Sequence, residues 1–220
     1  MSAEEIIGFV TGAVCVFLAV RQNVWTFPVG IVNNGVYVVL FASTGLYAGA
    51  ALQVVYLVLG GLGWYWWLRG GTGGGALTVH RTPRWVWPAA VVTVAGLVVL
   101  LAWVLSTWTD SSAPVLDAVT TSLSLVAQLM LGRKWIGSWL VWIVADVIFV
   151  WLYVSTGLYL TAVLYAGFIG LCLMGLRDWR AALSTPRSHA RGASAEPPAG
   201  VLADAPRAWG GARDEGRGEL

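Results

Sequence analysis

Charge is scarce in this sequence, and the groups that carry acid–base and metal chemistry are scarcer still. Only 11% of the 220 residues are charged, and there are two His and two Cys. A water-soluble domain carries nearer a quarter charged residues. With 58% hydrophobic residues and 14 Trp, the chain has more apolar surface than one soluble core can hide, which makes it a membrane protein. Its apolar runs are continuous over about 20 residues instead of alternating in ten-residue strands, so helices are expected and a barrel is not. Cys15 and Cys172 both fall inside apolar runs, where a lone thiol acts as a small hydrophobe, and no disulfide framework is implied. A basic leader is also missing: Glu4 and Glu5 stand at the start, and the run that follows is long enough to remain as a span.

The interior is as informative for what it lacks. Its deep polar residues are Asn33, Asn34, Gln53, Gln128, Asp146, several Tyr and the hydroxyls of a fifth span. Lys134 is the single Lys, and neither His80 nor His189 lies in a span. A phosphorylated ligand would therefore meet no cation inside the membrane. A metal centre lacks His or Cys ligands at usable spacing. Covalent carbonyl chemistry lacks a buried Lys, and hydrolysis lacks a nucleophile with a base in reach. The net charge of +2 belongs to loops and tail, not to a nucleic-acid surface. The expectation is a protein that is not an enzyme and needs no cofactor or metal.

Seven spans are expected, at about Ile6–Val20, Phe27–Ser43, Tyr47–Trp67, Trp87–Leu105, Val115–Leu131, Ser138–Val154 and Tyr159–Leu176. The basic residues offer an independent check on that count. One side of the membrane receives the N-terminus, the Ser43 turn, the Asp110 segment and the Ser155 turn, none of which holds Lys or Arg. All 13 basic residues fall on the other side. The positive-inside rule then places the N-terminus outside and the C-terminus in the cytoplasm of a multi-pass plasma (inner) membrane protein. Trp64, Trp66, Trp67, Trp85, Trp87 and Trp108 sit where interfacial anchors belong. Residues 70–84 read as a flexible cytoplasmic connector, and residues 181–220, rich in Ala, Gly, Pro and Arg, as a disordered tail.

The sixth span, SWLVWIVADVIFVWLYVS, carries an acid near its middle. A carboxylate at that depth costs roughly 2.5–3.5 kcal/mol on insertion scales, so Asp146 should face protein or a wet cavity. At helical spacing Trp139, Trp142, Asp146, Phe149 and Tyr153 form one stripe, aromatic on both sides of the acid. Two roles fit such a stripe: a ligand socket, or helix packing with Asp146 in a structural hydrogen bond. The chain also repeats itself. STGLY occurs at Ser43–Tyr47 and at Ser155–Tyr159, 112 positions apart, and the same offset pairs Arg21 with Arg133, Gly63 with Gly175 and Trp67 with Trp179. The expected organisation is a first three-helix repeat over 1–68, a connector and linker helix over 69–111, a second repeat over 112–180 and the tail over 181–220. Three spans plus one linker bring the second copy in from the same side, so the repeats are parallel about an axis along the membrane normal. The offset maps Trp142, Asp146, Phe149 and Tyr153 onto Gly30, Asn34, Tyr37 and Phe41, and Gln53 and Tyr56 onto Tyr165 and Phe168. Ligand sites in repeat-built transporters commonly lie at such an interface. Rings and amides suit a neutral or cationic ring-bearing molecule with hydroxyls, at roughly 0.5–2 kcal/mol per good aromatic or cation–π contact.

RQNVWTFPVGIVNNGVYVVLF, STGLYAGAALQVVY and GWYWW in the first copy, with SLVAQLMLGRKWIGSWLVWIVADV and STGLYLTAVLY in the second, resemble the PnuC vitamin transporters, which carry nicotinamide riboside. The resemblance runs from Arg21 to Trp179 and rests on Asn34-x-x-Tyr37, Gln53-x-x-Tyr56 and Trp139-x-x-Trp142 in order. It implies an all-α membrane protein of seven transmembrane helices in a 3+1+3 parallel pseudo-repeat with SWEET-like topology, assembled as a homotrimer in the lipid bilayer. It also implies facilitated diffusion of a small-molecule vitamin, trapped inside by a cytoplasmic nucleoside kinase. The substrate-binding residues expected are Asn34, Tyr37, Gln53, Tyr56, Trp139, Trp142, Asp146, Tyr153 and Tyr165. Gly137 and Ser138 stand where the family usually has Glu-Asn, and Gly49 where it usually has Asp. Those departures leave riboflavin and thiamine open beside nicotinamide riboside. Asp146, the sole deep acid, leaves proton coupling open too.

Overall fold

Runs of Val, Leu, Ala and Trp, stopped by turns that only certain residues can make, build an all-helical chain. A computed structural model describes residues 3–109 and 113–184; of the tail expected over 181–220, residues 181–184 are instead helical and the rest, like the Asp110 segment, lies outside the described residues. Seven α-helices occur among them: α1 (Ala3–Val20), α2 (Thr26–Ser43), α3 (Tyr47–Arg69), α4 (Val86–Trp108), α5 (Pro114–Gly132), α6 (Ser138–Ser155) and α7 (Tyr159–Ser184). Helices α2 to α7 are each long and apolar enough to cross a membrane, and α1 contributes the shorter apolar run Val10–Val20. Both α3 and α7 outrun their expected ends at Trp67 and Leu176. Charge at Arg69 and Arg177 ends a hydrophobic run, but helix hydrogen bonds continue through the interface.

The helix ends repeat with the 112-residue offset. Gly45 (φ 78°) closes α2 and Gly157 (φ 76°) closes α6 in the left-handed region, where a side chain would be strained. Leu46 N then donates to Phe41 O and Leu158 N to Tyr153 O, each at 2.8 Å, capping carbonyls that the helices leave open. At the opposite end Gln22 (φ 54°) and Lys134 (φ 51°) hold the same conformation without being glycine. Asn23 N reaches Leu18 O at 2.8 Å and Trp135 N reaches Met130 O at 3.1 Å.

Packing closes a ring: α1 lies against α2, α2 against α3, α3 against α5, α5 against α6, α6 against α7, and α7 against α1. Helix α4 packs on α5 outside that ring, with Val86 against the Val126 and Met130 side. The two seams between halves, α3·α5 and α1·α7, are stitched alike. Trp67 Nε1 donates to Leu131 O at 3.2 Å, and Trp179 Nε1 donates to Ala19 O at 3.2 Å. These positions are again related by the offset. Trp67, expected as an interfacial anchor, is instead 3% exposed. It belongs to a buried ring layer in which Phe27 meets it edge-on at 5.0 Å and Trp139 meets Trp179 edge-on at 5.3 Å. Gly63 and Gly175 make room for that layer. A Cβ on either would fall 2.4 Å from Phe27 Cε1 or 2.5 Å from Trp139 Cε2.

The connector departs from expectation in its second half. Its glycines predict a flexible link, yet Leu77 and Val79 are buried and Leu77 N donates to Trp67 O at 3.0 Å. His80 N donates to Lys134 O at 3.0 Å, Ile136 N donates to His80 O at 3.1 Å, and Gly137 N donates to Thr82 Oγ1 at 2.8 Å. Residues 77–82 thus form a strap from the end of α3 to the α5–α6 turn. Apolar side chains at alternate positions 77 and 79 give it an inner face, a signal that the flanking glycines mask.

Candidate functional site

The six-helix ring encloses a cavity of about 540 Å³. Each ring helix turns one stripe into it, and stripes of the two halves match position for position. Gly12, Val16 and Ala19 of α1 correspond to Ser124, Gln128 and Leu131 of α5; Phe27, Gly30 and Asn34 of α2 to Trp139, Trp142 and Asp146 of α6; Gln53, Tyr56 and Gly60 of α3 to Tyr165, Phe168 and Cys172 of α7. Spacings of three and four residues keep each set on one helix face.

Of the nine expected site residues, Asn34, Gln53, Tyr56, Trp139, Trp142, Asp146 and Tyr165 line this cavity. Tyr37 and Tyr153 do not. Tyr37 packs on Phe41 at 5.6 Å, and Tyr153 stacks behind Tyr165 at 5.2 Å. Tyr153 lies seven residues from Asp146, about 10 Å along the helix axis. It shares the face of the acid but stands beyond the cavity, as a support for Tyr165. Trp139 is also part floor: it is 1% exposed, with one face against Gly175 and an edge contact to Trp179. Its indole N–H and the hydroxyl of Ser138 are buried without a partner among the described residues.

The polar groups divide by half. Asn33 accepts from Thr11 Oγ1 at 3.0 Å and is thereby committed. Asn34 and Gln53 face the cavity, where amides can satisfy hydroxyls. The Tyr56 hydroxyl lies within hydrogen-bonding reach of Ser124, whose own proton goes to Thr120 O at 2.8 Å. That back-bonding is how the hydroxyl-rich α5 remains a helix in a membrane. In the other half, Phe149 and Tyr165 lie 4.7 Å apart, and Asp146 is 5% exposed. Cys172, expected as an inert hydrophobe, donates its thiol to Asp146 Oδ2 at 3.6 Å. The 3.6-residue period of α7 puts position 172 below Tyr165 and Phe168 on the same stripe, which was the available signal. No Lys, Arg or His lines the cavity, and no cluster of three metal-ligating side chains occurs among the described residues.

Comparison with known proteins agrees with this architecture. The sequence model of the "Nicotinamide mononucleotide transporter" family matches residues 2–181. The chain is 24% identical over 204 residues to the nicotinamide riboside transporter PnuC of Escherichia coli, covering 81% of this chain and 85% of that one. It is 28% identical over 186 residues to the riboflavin/roseoflavin transporter RibM of Streptomyces davaonensis, covering 80% and 84%. A crystal structure of the vitamin B3 transporter PnuC superimposes with a TM-score of 0.60 at 21% identity over 80% of each chain, a likeness of fold. The chain therefore belongs to the nicotinamide mononucleotide transporter family and is a multi-pass membrane transporter, not an enzyme.

Proposed function

We propose that the protein is a uniporter for unphosphorylated nicotinamide riboside, supplying pyridine nucleotide synthesis by facilitated diffusion. One observation carries this reading: the cavity wall offers rings, amides and a single carboxylate, and no cation. A pyridinium riboside has a cationic ring for the Asp146 side and hydroxyls for Asn34 and Gln53. Its phosphate ester would bring a dianion to a low-dielectric wall with nothing to neutralise it. The riboside is accordingly favoured over the mononucleotide. Net flux then depends on phosphorylation by a cytoplasmic nucleoside kinase, which keeps the internal concentration of the carried form low.

The 3+1+3 parallel arrangement is our reading of the ring, with α1–α3 and α5–α7 as repeats about an axis along the membrane normal and α4 as the linker. The recurring turns and the paired Trp67 and Trp179 bonds support it. Placing the basic residues in the cytoplasm sets the N-terminus outside and the C-terminus inside. Residues 1–68, 69–111, 112–180 and 181–220 are the corresponding units, with the last as a tail, and the assembly is a homotrimer in the plasma membrane.

Uptake by proteoliposomes holding the purified chain, with labelled nicotinamide riboside, riboflavin and thiamine offered separately, tests the assignment. Saturable riboside uptake is expected, and transport of riboflavin alone overturns it. Riboflavin is the second reading, favoured by the 28% identity to RibM and by a cavity of about 540 Å³, roomy for a nucleoside. Proton coupling through Asp146 predicts that Asp146→Asn abolishes uptake driven by a pH gradient, and pH-independent uptake excludes it.

A further inference from the structure

Among the described residues, Asp146 is the single charged side chain on the cavity wall. It is 5% exposed, and its one polar contact among the described residues is the Cys172 thiol at 3.6 Å. A thiol is a weak donor, so the carboxylate enters the cavity with its hydrogen-bonding capacity nearly unspent. Trp142 stands one turn before it and Phe149 one turn after, both on the same wall. The equivalent place in the other half holds Asn34, a neutral amide.

We propose that Asp146 is the specificity-determining residue of the cavity, selecting ring ligands of net positive charge over neutral or zwitterionic ones of the same outline, with Cys172 as its positioning residue. This rests on the riboside reading of the preceding section and adds to it the feature that is recognised. A buried carboxylate without a cation is unfavourable, and a cationic ring between Trp142 and Phe149 removes that penalty while gaining attraction from two aromatic faces. A neutral ring fills the same volume and leaves the carboxylate uncompensated. A pyridinium ring bearing its own carboxylate is a zwitterion, and the repulsion between that carboxylate and Asp146 offsets the attraction of the ring. Discrimination of this kind comes from what the wrong ligand leaves unpaired, not from shape. Because Asn34 cannot discriminate by charge, the ring end of the substrate is held to the α6–α7 side and its sugar to the α2–α3 side.

The test uses the full chain in proteoliposomes and three labelled nucleosides of one outline: the pyridinium carboxamide riboside, its neutral 1,4-dihydro form and the riboside of the ring carboxylic acid. The unaltered protein is expected to prefer the cation by about tenfold or more over either of the others. Asp146→Asn should collapse that ratio to about threefold or less by losing cation uptake far more than neutral uptake, and Asp146→Glu should restore part of it. Cys172→Ser, which retains a donor, should keep the ratio, and Cys172→Ala should lower it. Equal uptake of charged and neutral ribosides by the unaltered protein overturns charge selection but leaves the riboside reading standing. An Asp146→Asn variant that loses all three by the same factor overturns it as well. Riboflavin uptake with no riboside uptake at all overturns the riboside reading, and this inference with it. Should Asp146→Asn fail to fold, the Glu and Cys172 variants decide by the same ratio.

Discussion

Position 30 in the first half of the ring holds glycine, and its counterpart in the second half, position 142, holds tryptophan; both face the cavity. The same inequality runs through the wall. Asn34 corresponds to Asp146, Gln53 to Tyr165 and Gly60 to Cys172, on backbones whose turns agree to a few degrees in φ. Across the 112-residue offset, what positions the side chains recurs and what the side chains are does not. A symmetric wall would hold a ligand in two opposite orientations equally well. This wall has its carboxylate in one half and a neutral amide at the matching place in the other, so a molecule with unlike ends has one preferred way to lie.

The seams between halves differ as well, although their stitches are alike. Trp67 bonds Leu131 O and Trp179 bonds Ala19 O at the same 3.2 Å. Only the α3·α5 seam carries the strap of residues 77–82, and only there does a cation, Lys134 Nζ, sit 4.2 Å over the indole of Trp67. The α1·α7 counterpart of Lys134 is the neutral Gln22. One seam has a strap and a cation besides its tryptophan; the other has Trp179, whose N–H is shared by Ala19 O and Val20 O, and the apolar packing around it.

The largest effect is expected where the halves are most tightly matched. Gly175→Ala places a Cβ against Trp139, which is already fixed between Gly175 and Trp179, and should lower stability by about 1–3 kcal/mol. Gly63→Ala crowds Phe27, the smaller ring, and should cost less. Thermal unfolding in detergent of both variants checks the order; a costlier Gly63→Ala breaks the claim that the second half is the more rigid.

Next come the stitches. Trp67→Phe removes one seam hydrogen bond and Trp179→Phe one indole N–H shared between Ala19 O and Val20 O, each donor being worth about 1 kcal/mol net, so their stabilities should fall similarly. Their dynamics should not. Cys15 lines the cavity on α1 and is free, so its labelling by a thiol reagent, in a Cys172→Ser background, reports opening. Trp179→Phe should speed labelling severalfold more than Trp67→Phe, because the strap still closes the other seam. Equal acceleration would make the strap irrelevant to gating.

Much of this comparison is legible in the sequence. STGLY at an interval of 112 marks both STGLY turns, and the same interval applied to the sixth-span stripe finds Asn34 opposite Asp146. Periodicity reports which face a residue occupies and says little about how far along the axis a cavity extends, which is why Tyr153 and Tyr37 were expected on the wall and stand off it. The strap escapes because its pairing partner, the 134–137 turn, is more than 50 residues away, and no local pattern encodes a lone bridge between loops. Trp67 looks like an interfacial anchor, since a Trp near a span end fits that role by composition; only the packed neighbour shows the indole N–H reaching across a seam.

Smaller still is the effect of the strap's side-chain bond. Thr82→Val removes the acceptor for Gly137 N and should cost about 1 kcal/mol, whereas the counterpart Trp25 N donates within its own turn, to Asn23 Oδ1 at 3.0 Å. The expected consequence is confined to the second half: amide exchange should quicken at residues 134–138 and remain unchanged at 22–26. Exchange that quickens in both turns together would mean that the halves move as one body.

The smallest prediction concerns Lys134 itself, which lies in the α5–α6 turn outside the spans. Burial pushes its ammonium down to about 8 from an ordinary value of 10.5, because a charge withdrawn from water favours its neutral form. In the unfolded chain the group keeps its proton up to the ordinary value, so between pH 8 and 10.5 the unfolded state binds more protons. This residue's contribution to stability therefore rises with pH across that window. The contact with Trp67 offsets part of the penalty below it. Lys134→Gln, which copies the first half's Gln22, should flatten the rise in thermal stability between pH 8 and 10 and leave stability near pH 7 slightly higher. A variant that is less stable at pH 7 would show the cation to be a net tie across the α3·α5 seam, and the two seams would then differ in charge as much as in covering.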